Sequence, residues 1–187
     1  AGEKLLKRLE IKSKMDPVKL FNTLDDFLEG QVLVIDKPLD WTSFDVVNKL
    51  RGTIRHTFNI KKIKVGHAGT LDPLATGVLV VCTGRKTKTI DILQAEQKTY
   101  TGTIRLGVTT PSFDSETEID NYCDLAMLDV INPRSIENAS TKFIGNIDQM
   151  PPQFSAKKVD GVAAYKAARK GKTVNLKPKA VTINSFE

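Results

Sequence analysis

Apolar side chains along the chain follow two spacings, and the switches between them mark the expected elements. At residues 17–29, Leu20, Phe21, Leu24, Phe27 and Leu28 recur at helical intervals, with Pro17 in the first turn and Gly30 as a stop. Residues 3–12 carry a similar amphipathic pattern. Gln31 to Asp36 then holds the run Val-Leu-Val-Ile, the signature of a buried strand, closed by Lys37-Pro38. Thr42, Ser43 and Asp45 supply start signals for a helix reaching about Arg55, with Phe44, Val47, Leu50 and Ile54 as its apolar stripe.

Further on, Val78–Val81 reads as a strand. Lys98 to Leu106 alternates as a half-buried strand would, with Tyr100, Gly102, Ile104 and Leu106 on one face. Residues 115–135 are acidic and irregular, and Ser135 to about Ile144 predicts a short helix behind Pro133. Val162 to Lys170 predicts another, ended by Gly171. Residues 173–186 suit two short strands hinged near Pro178, and there is no internal repeat. Helices mixed with strands in this way imply an α+β fold.

Composition narrows the class without naming a function. A chain of 187 residues, 40% hydrophobic and 27% charged, suits one globular domain that buries roughly 70% of its unfolded surface. We divide it into a helical extension or leader over 1–30 and a body over 31–187; Met15 offers a second start, so residues 1–14 need carry no chemistry. No apolar run approaches the roughly 20 residues that span a bilayer, and no secretory signal opens the sequence, so no membrane partner is expected and the cytoplasm is the expected compartment. Cys82 and Cys123 stand alone, so neither a disulfide framework nor a metal site is expected.

Charge is distributed in blocks. The net charge is +6, yet residues 31–107 carry twelve basic and six acidic side chains, residues 108–150 two and eight, and residues 151–187 eight and two. Two basic blocks flank an acidic one, a distribution that suits a polyanionic partner or merely solvated faces.

The densest chemistry lies in Gly66–Gly77, Gly-His-Ala-Gly-Thr-Leu-Asp-Pro-Leu-Ala-Thr-Gly. Three glycines allow a close backbone approach, and Pro73 pushes Asp72 out of the helical region. An acid on such a loop is either a turn-former or a reactive group. The string as a whole resembles the central motif of the TruB family of pseudouridine synthases. Ile35-Asp-Lys-Pro-Leu-Asp-Trp-Thr-Ser43 resembles the first family motif, which commonly has Gly where Asp40 stands. Lys98-Thr-Tyr followed by Arg105-Leu-Gly resembles the second. Thr110-Pro-Ser-Phe-Asp114 resembles a Thr-x-Thr-x-Asp motif with Ser112 in the second Thr position, and Gln149 to Gly161 adds a further match.

The resemblance implies a pseudouridine-synthase-like fold, a mixed and mostly antiparallel sheet flanked by helices, with the site in a cleft across the sheet. It implies an isomerase acting on the T-loop uridine at position 55 of tRNA, with no cofactor and no metal. Asp72 is the expected catalytic residue, and Tyr100 is expected to stack on the target base. His67, Lys37, Lys64, Gly66, Thr70, Arg85 and Lys86 are the expected substrate-binding set. Leu74-Ala-Thr-Gly, where guide-dependent relatives carry Lys-Val-Thr-Gly, resembles the stand-alone bacterial type, expected to work as a monomer without guide RNA. The match covers about residues 31–187 and the first part of the catalytic domain; a later Gly-Thr-Tyr-Ile-Arg segment and an RNA-binding domain have no counterpart. A non-catalytic tRNA-binding or folding module is therefore the alternative; a carboxylate-pair glycosidase lacks a second placed acid.

Overall fold

A computed structural model describes residues 23–155, 157–159 and 161–187. It divides into two compact units, Ala1–Tyr100 and Thr101–Glu187. Among the described residues the first begins with helix α1 (Leu24–Glu29), strand β1 (Val32–Lys37) and helix α2 (Ser43–Phe58). Strands β2 (Val65–His67) and β3 (Gly77–Thr83) follow, then a 3-10 turn over Gly84–Thr89 and helix α3 (Ile90–Ala95).

The three strands form an antiparallel sheet in the order β1-β3-β2. Period-two alternation sends Leu33 and Ile35 of β1 and Leu79 and Val81 of β3 to one face. Val46, Val47, Leu50 and Ile54 of α2 join them in a single buried cluster with Phe27, Ile63 and Val65. The stripe of α2 thus includes Val46, whereas Phe44, expected inside, is exposed. Phe44 is the second residue of the helix, and its neighbour Ser43 occupies the buried position.

Several sequence expectations change. Helix α1 begins at Leu24, because Thr23 is extended and caps it through a reciprocal box with Asp26. The expected turns before Thr23, the helix over 3–12 included, lie outside the described residues. Helix α2 runs past Arg55 to Phe58, where Asn59 adopts a left-handed conformation and ends it. The strand expected over Lys98–Leu106 does not form: the segment is irregular, and Tyr100 and Ile104 are three-quarters exposed. Alternation describes side-chain facing only, and a strand also needs a partner for its N–H and C=O groups. Among the described residues no ladder partner reaches this segment.

The second unit is built from short antiparallel pairs: β4 (Val108–Thr109) with β5 (Asn121–Tyr122), β6 (Gly145–Gln149) with β9 (Lys179–Ile183), and β7 (Lys158–Val159) with β8 (Val162–Ala163). Helix α4 (Pro133–Ser140) starts two residues earlier than expected, capped by Asn132 with Pro133 in its first turn. Helix α5 is short, Ala164–Ala168, and residues 173–178 form no strand. In the motif at 110–114, Ser112 supplies the hydroxyl that closes the turn, 2.6 Å from Asp114 Oδ1 and 2.8 Å from Thr117 Oγ1. Among the described residues no helix is long and apolar enough to cross a membrane.

Candidate active site

The loop between β2 and β3 is fixed before and after Asp72. Leu71 is held by Ser43, whose Oγ accepts from Leu71 N–H at 2.9 Å and donates to Leu71 C=O at 3.1 Å. Ser43 is buried, and it can reach Leu71 because the box between Thr42 and Asp45 sets the first turn of α2. On the other side, Pro73 C=O accepts from Asp40 N–H at 2.9 Å. Ala75 N–H donates to Asp72 C=O at 3.0 Å, closing a turn across Pro73-Leu74. Asp72 itself is exposed, so its carboxyl is open to solvent while its backbone is clamped.

Lys37 departs from its expected role. The resemblance puts it in the substrate-binding set, but it is wholly buried. The alternation that faces Leu33 and Ile35 inward carries Lys37 inward as well. Its Nζ donates to Trp41 C=O at 2.6 Å and Pro38 C=O at 2.9 Å, and lies 3.4 Å from Pro73 C=O. Burial pulls its pKa below the ordinary lysine value, and the charges of Asp40 and Asp72 work against that shift. Lys37 is therefore a strut under the loop that carries the acid, within electrostatic reach of Asp72.

His67 sits on β2 opposite Val81 and is half-buried. Its Nδ1 lies 2.6 Å from Gly69 C=O. A carbonyl can only accept, so Nδ1 carries the proton and the ring is oriented by its own loop. Gly69 takes a φ of +106°, a conformation that favours glycine. A β-carbon built at Gly66 would meet Ile90 Cδ1 at 2.7 Å, so this glycine gives room to α3. Thr70 is exposed. Lys98 Cε comes within 3.9 Å of a β-carbon built at Gly69, so the Lys98 side chain, two residues before the exposed ring of Tyr100, reaches this loop.

The remaining basic residues lie elsewhere. Lys64 precedes β2, and its C=O accepts from Gly84 N–H at 2.9 Å, at the end of β3 away from Asp72. Arg85 and Lys64 line a cavity of about 740 Å³ there, and Lys86 packs its backbone against Gly30. Of the expected binding set, Lys37 pairs opposite Gly77 at the start of β3, whereas Gly66 and His67 pair opposite Cys82 and Val81, toward the Thr83 end where Lys64 and Arg85 lie. Sequence reasoning missed Ser43 as a loop anchor, although the Thr-Ser pair was visible. It also missed Arg51, Arg55 and the run Lys61-Lys62 as walls of one cavity with Arg85 and Lys88.

Comparison with known proteins identifies the family. A family model described as TruB family pseudouridylate synthase (N terminal domain) matches residues 55–187. The tRNA pseudouridine synthase B of Phocaeicola vulgatus is 54% identical over 162 residues, covering 87% of this chain and 68% of that protein. That of Flavobacterium johnsoniae is 51% identical over 166 residues, 88% of this chain and 71% of the relative. That of Chlorobaculum tepidum is 49% identical over 160 residues, 85% and 65% respectively. With most of its length matched at about half identity, and with its acid-bearing loop carrying the central motif, the chain belongs to the TruB family of pseudouridylate synthases.

Proposed function

We propose that the protein is a tRNA pseudouridine synthase that isomerises the T-loop uridine at position 55, with Asp72 as its catalytic carboxylate. The observation that carries this reading is an exposed acid on a loop immobilised on both sides, at Leu71 by Ser43 and at Pro73 by Asp40. The reaction breaks the N1–C1′ bond, turns the freed uracil, joins C5 to C1′, releases the C5 proton to solvent and returns a proton to N1. Atoms and electrons balance without a redox partner. The Asp72 carboxylate serves by one of two routes: it attacks C1′, or it removes the C2′ proton. A clamped backbone suits both, because misplacing a reacting group by 1 Å costs about 10²-fold in rate.

The uridine must leave its stack to reach Asp72, at a cost of a few kcal/mol. Stacking on an aromatic ring returns about 1–3 kcal/mol per base. Tyr100 offers such a ring, three-quarters exposed, two residues after Lys98, whose side chain reaches Gly69. His67, with its ring held by Gly69 C=O, serves at the gap left in the stack or against a neighbouring base. Gly66 and Thr70 shape the loop against the RNA, and Lys64, Arg85 and Lys86 attract its phosphates. The enzyme works in the cytoplasm as a monomer, without guide RNA.

The test is tritium release from unmodified tRNA transcribed with C5-tritiated uridine. We expect one equivalent released per tRNA, and none when position 55 is cytidine. Release that persists with cytidine at 55 would contradict the assigned position; tight binding with no release would favour a non-catalytic binding module.

A further inference from the structure

Lys98 has no part in the chemistry given so far, yet its side chain makes two separate attachments. Its Nζ turns back and donates to Gln94 C=O at 2.6 Å and to Glu96 C=O at 2.8 Å. Those carbonyls lie at the C-terminal end of α3, where helix geometry leaves acceptors unpaired. The stem that carries the ammonium passes Gly69, its Cε 3.9 Å from a β-carbon built there. We propose that Lys98 is a positioning residue, which ties the root of Tyr100 to the Gly69 loop and so sets where the ring can meet the base. The proposal rests on the reading of Tyr100 as the ring that stacks on the target uracil.

Three observations support it. First, the chain around Tyr100 has little else to hold it. Residues 98–104 join no ladder, and among the described residues their hydrogen bonds are those of Lys98 Nζ. Two residues reach at most about 7 Å, so a pinned Lys98 confines the root of Tyr100. Second, the anchor is itself seated on the site. A β-carbon at Gly66 would lie 2.7 Å from Ile90 Cδ1, so α3 packs on the strand that ends in His67. Third, Gly69 serves both rings. Its C=O accepts from His67 Nδ1 at 2.6 Å, and its bare α-carbon, at a φ of +106°, leaves open the face that the Lys98 stem crosses. With two of its three donors on backbone carbonyls, the ammonium is committed to the tether, so its loss should be felt through Tyr100.

The test is a double-mutant cycle read by tritium release from unmodified tRNA, with melting curves as the folding check. Lys98→Ala should lower kcat/KM about 3- to 20-fold, part of what stacking supplies. Lys98→Arg should recover most of that loss, because a guanidinium donates to the same carbonyls. In a Tyr100→Ala background, Lys98→Ala should cost less than about 2-fold. An equal loss in both backgrounds would overturn the proposal. Accompanied by a shallower salt dependence of tRNA binding, that result makes Lys98 a phosphate contact; accompanied by a lower melting temperature, it makes Lys98 a helix cap alone. A second readout uses the free protein and needs no turnover. Labelling with fluorotyrosine gives fluorine NMR signals from three tyrosines, and the one lost in Tyr100→Phe belongs to Tyr100. We expect Lys98→Ala to move that signal and to leave those of Tyr122 and Tyr165 in place; a Tyr100 signal that stays put would overturn the tether. Should wild type release no tritium while Lys98→Ala still moves the Tyr100 signal, the catalytic reading falls and the tether stands.

Discussion

Ser43 and Leu71, 28 positions apart, exchange two hydrogen bonds through a single hydroxyl that accepts from one backbone group and donates to the other. The pair ties the first residue of α2 to the residue immediately before Asp72. Ser43→Ala leaves both backbone groups of Leu71 without this partner, at a cost of about 1–3 kcal/mol. We expect a lower melting temperature and kcat reduced about 10- to 100-fold, with KM for tRNA nearly unchanged. Wild-type kcat in a folded Ser43→Ala protein would remove the clamp from the account.

Asp40 adopts a φ of +65°, which side chains disfavour and glycine accepts. Its N–H still has to reach Pro73 C=O, and glycine keeps that donor. Asp40→Gly should therefore stabilise the fold by up to about 1 kcal/mol. The same change removes a negative charge that favours the Lys37 ammonium. Asp40→Asn isolates that loss, because asparagine tolerates the left-handed region. The expected order of melting temperatures is Gly above Asp, with Asn at or below Asp.

Much of the first unit was legible because it obeys one rule at a time. Runs and stripes placed β1, α2 and β3 to within a few residues, and the cap at Thr42–Asp45 was visible as letters. Lys37 entered the binding set through the family resemblance, whereas alternation along β1 puts it on the buried face of Leu33 and Ile35. The segment 98–106 had the right alternation, but alternation carries no information about a pairing partner. The basic cavity was hidden because Arg51, Lys62 and Arg85 converge only through folding. The acid loop was found by resemblance to a family motif, while its clamp needed coordinates.

Asp45 gives a pH prediction. Hydrogen bonds from Thr42, side chain first and backbone second, hold its carboxyl below the ordinary aspartate pKa. A carboxylate depressed in the folded state stabilises it above the unfolded value of about 3.9, and that contribution is lost as pH falls through the folded value. Asp45→Asn removes this dependence. Below about pH 4 the stability gap between wild type and Asp45→Asn should narrow steadily in urea melts. A gap that stays constant down to pH 2 would contradict the capping role.

The exposed ring of Tyr100 is expected to stack on the displaced base. Tyr100→Ala should lower kcat/KM by about 5- to 150-fold, the equivalent of 1–3 kcal/mol of stacking. The melting temperature should barely move, since the ring contributes little to the core. A marked loss of stability with normal kcat/KM would mean that the ring is a packing element.

The central claim is that the Asp72 carboxylate carries the chemistry at the ribose of the uridine, and one paired measurement tests it: tritium release and tRNA affinity for Asp72→Asn beside wild type. The substitution keeps shape and leaves the clamps at Leu71 and Pro73 in place. We predict no detectable turnover with affinity within a few-fold of wild type. Turnover near the wild-type rate would contradict the account.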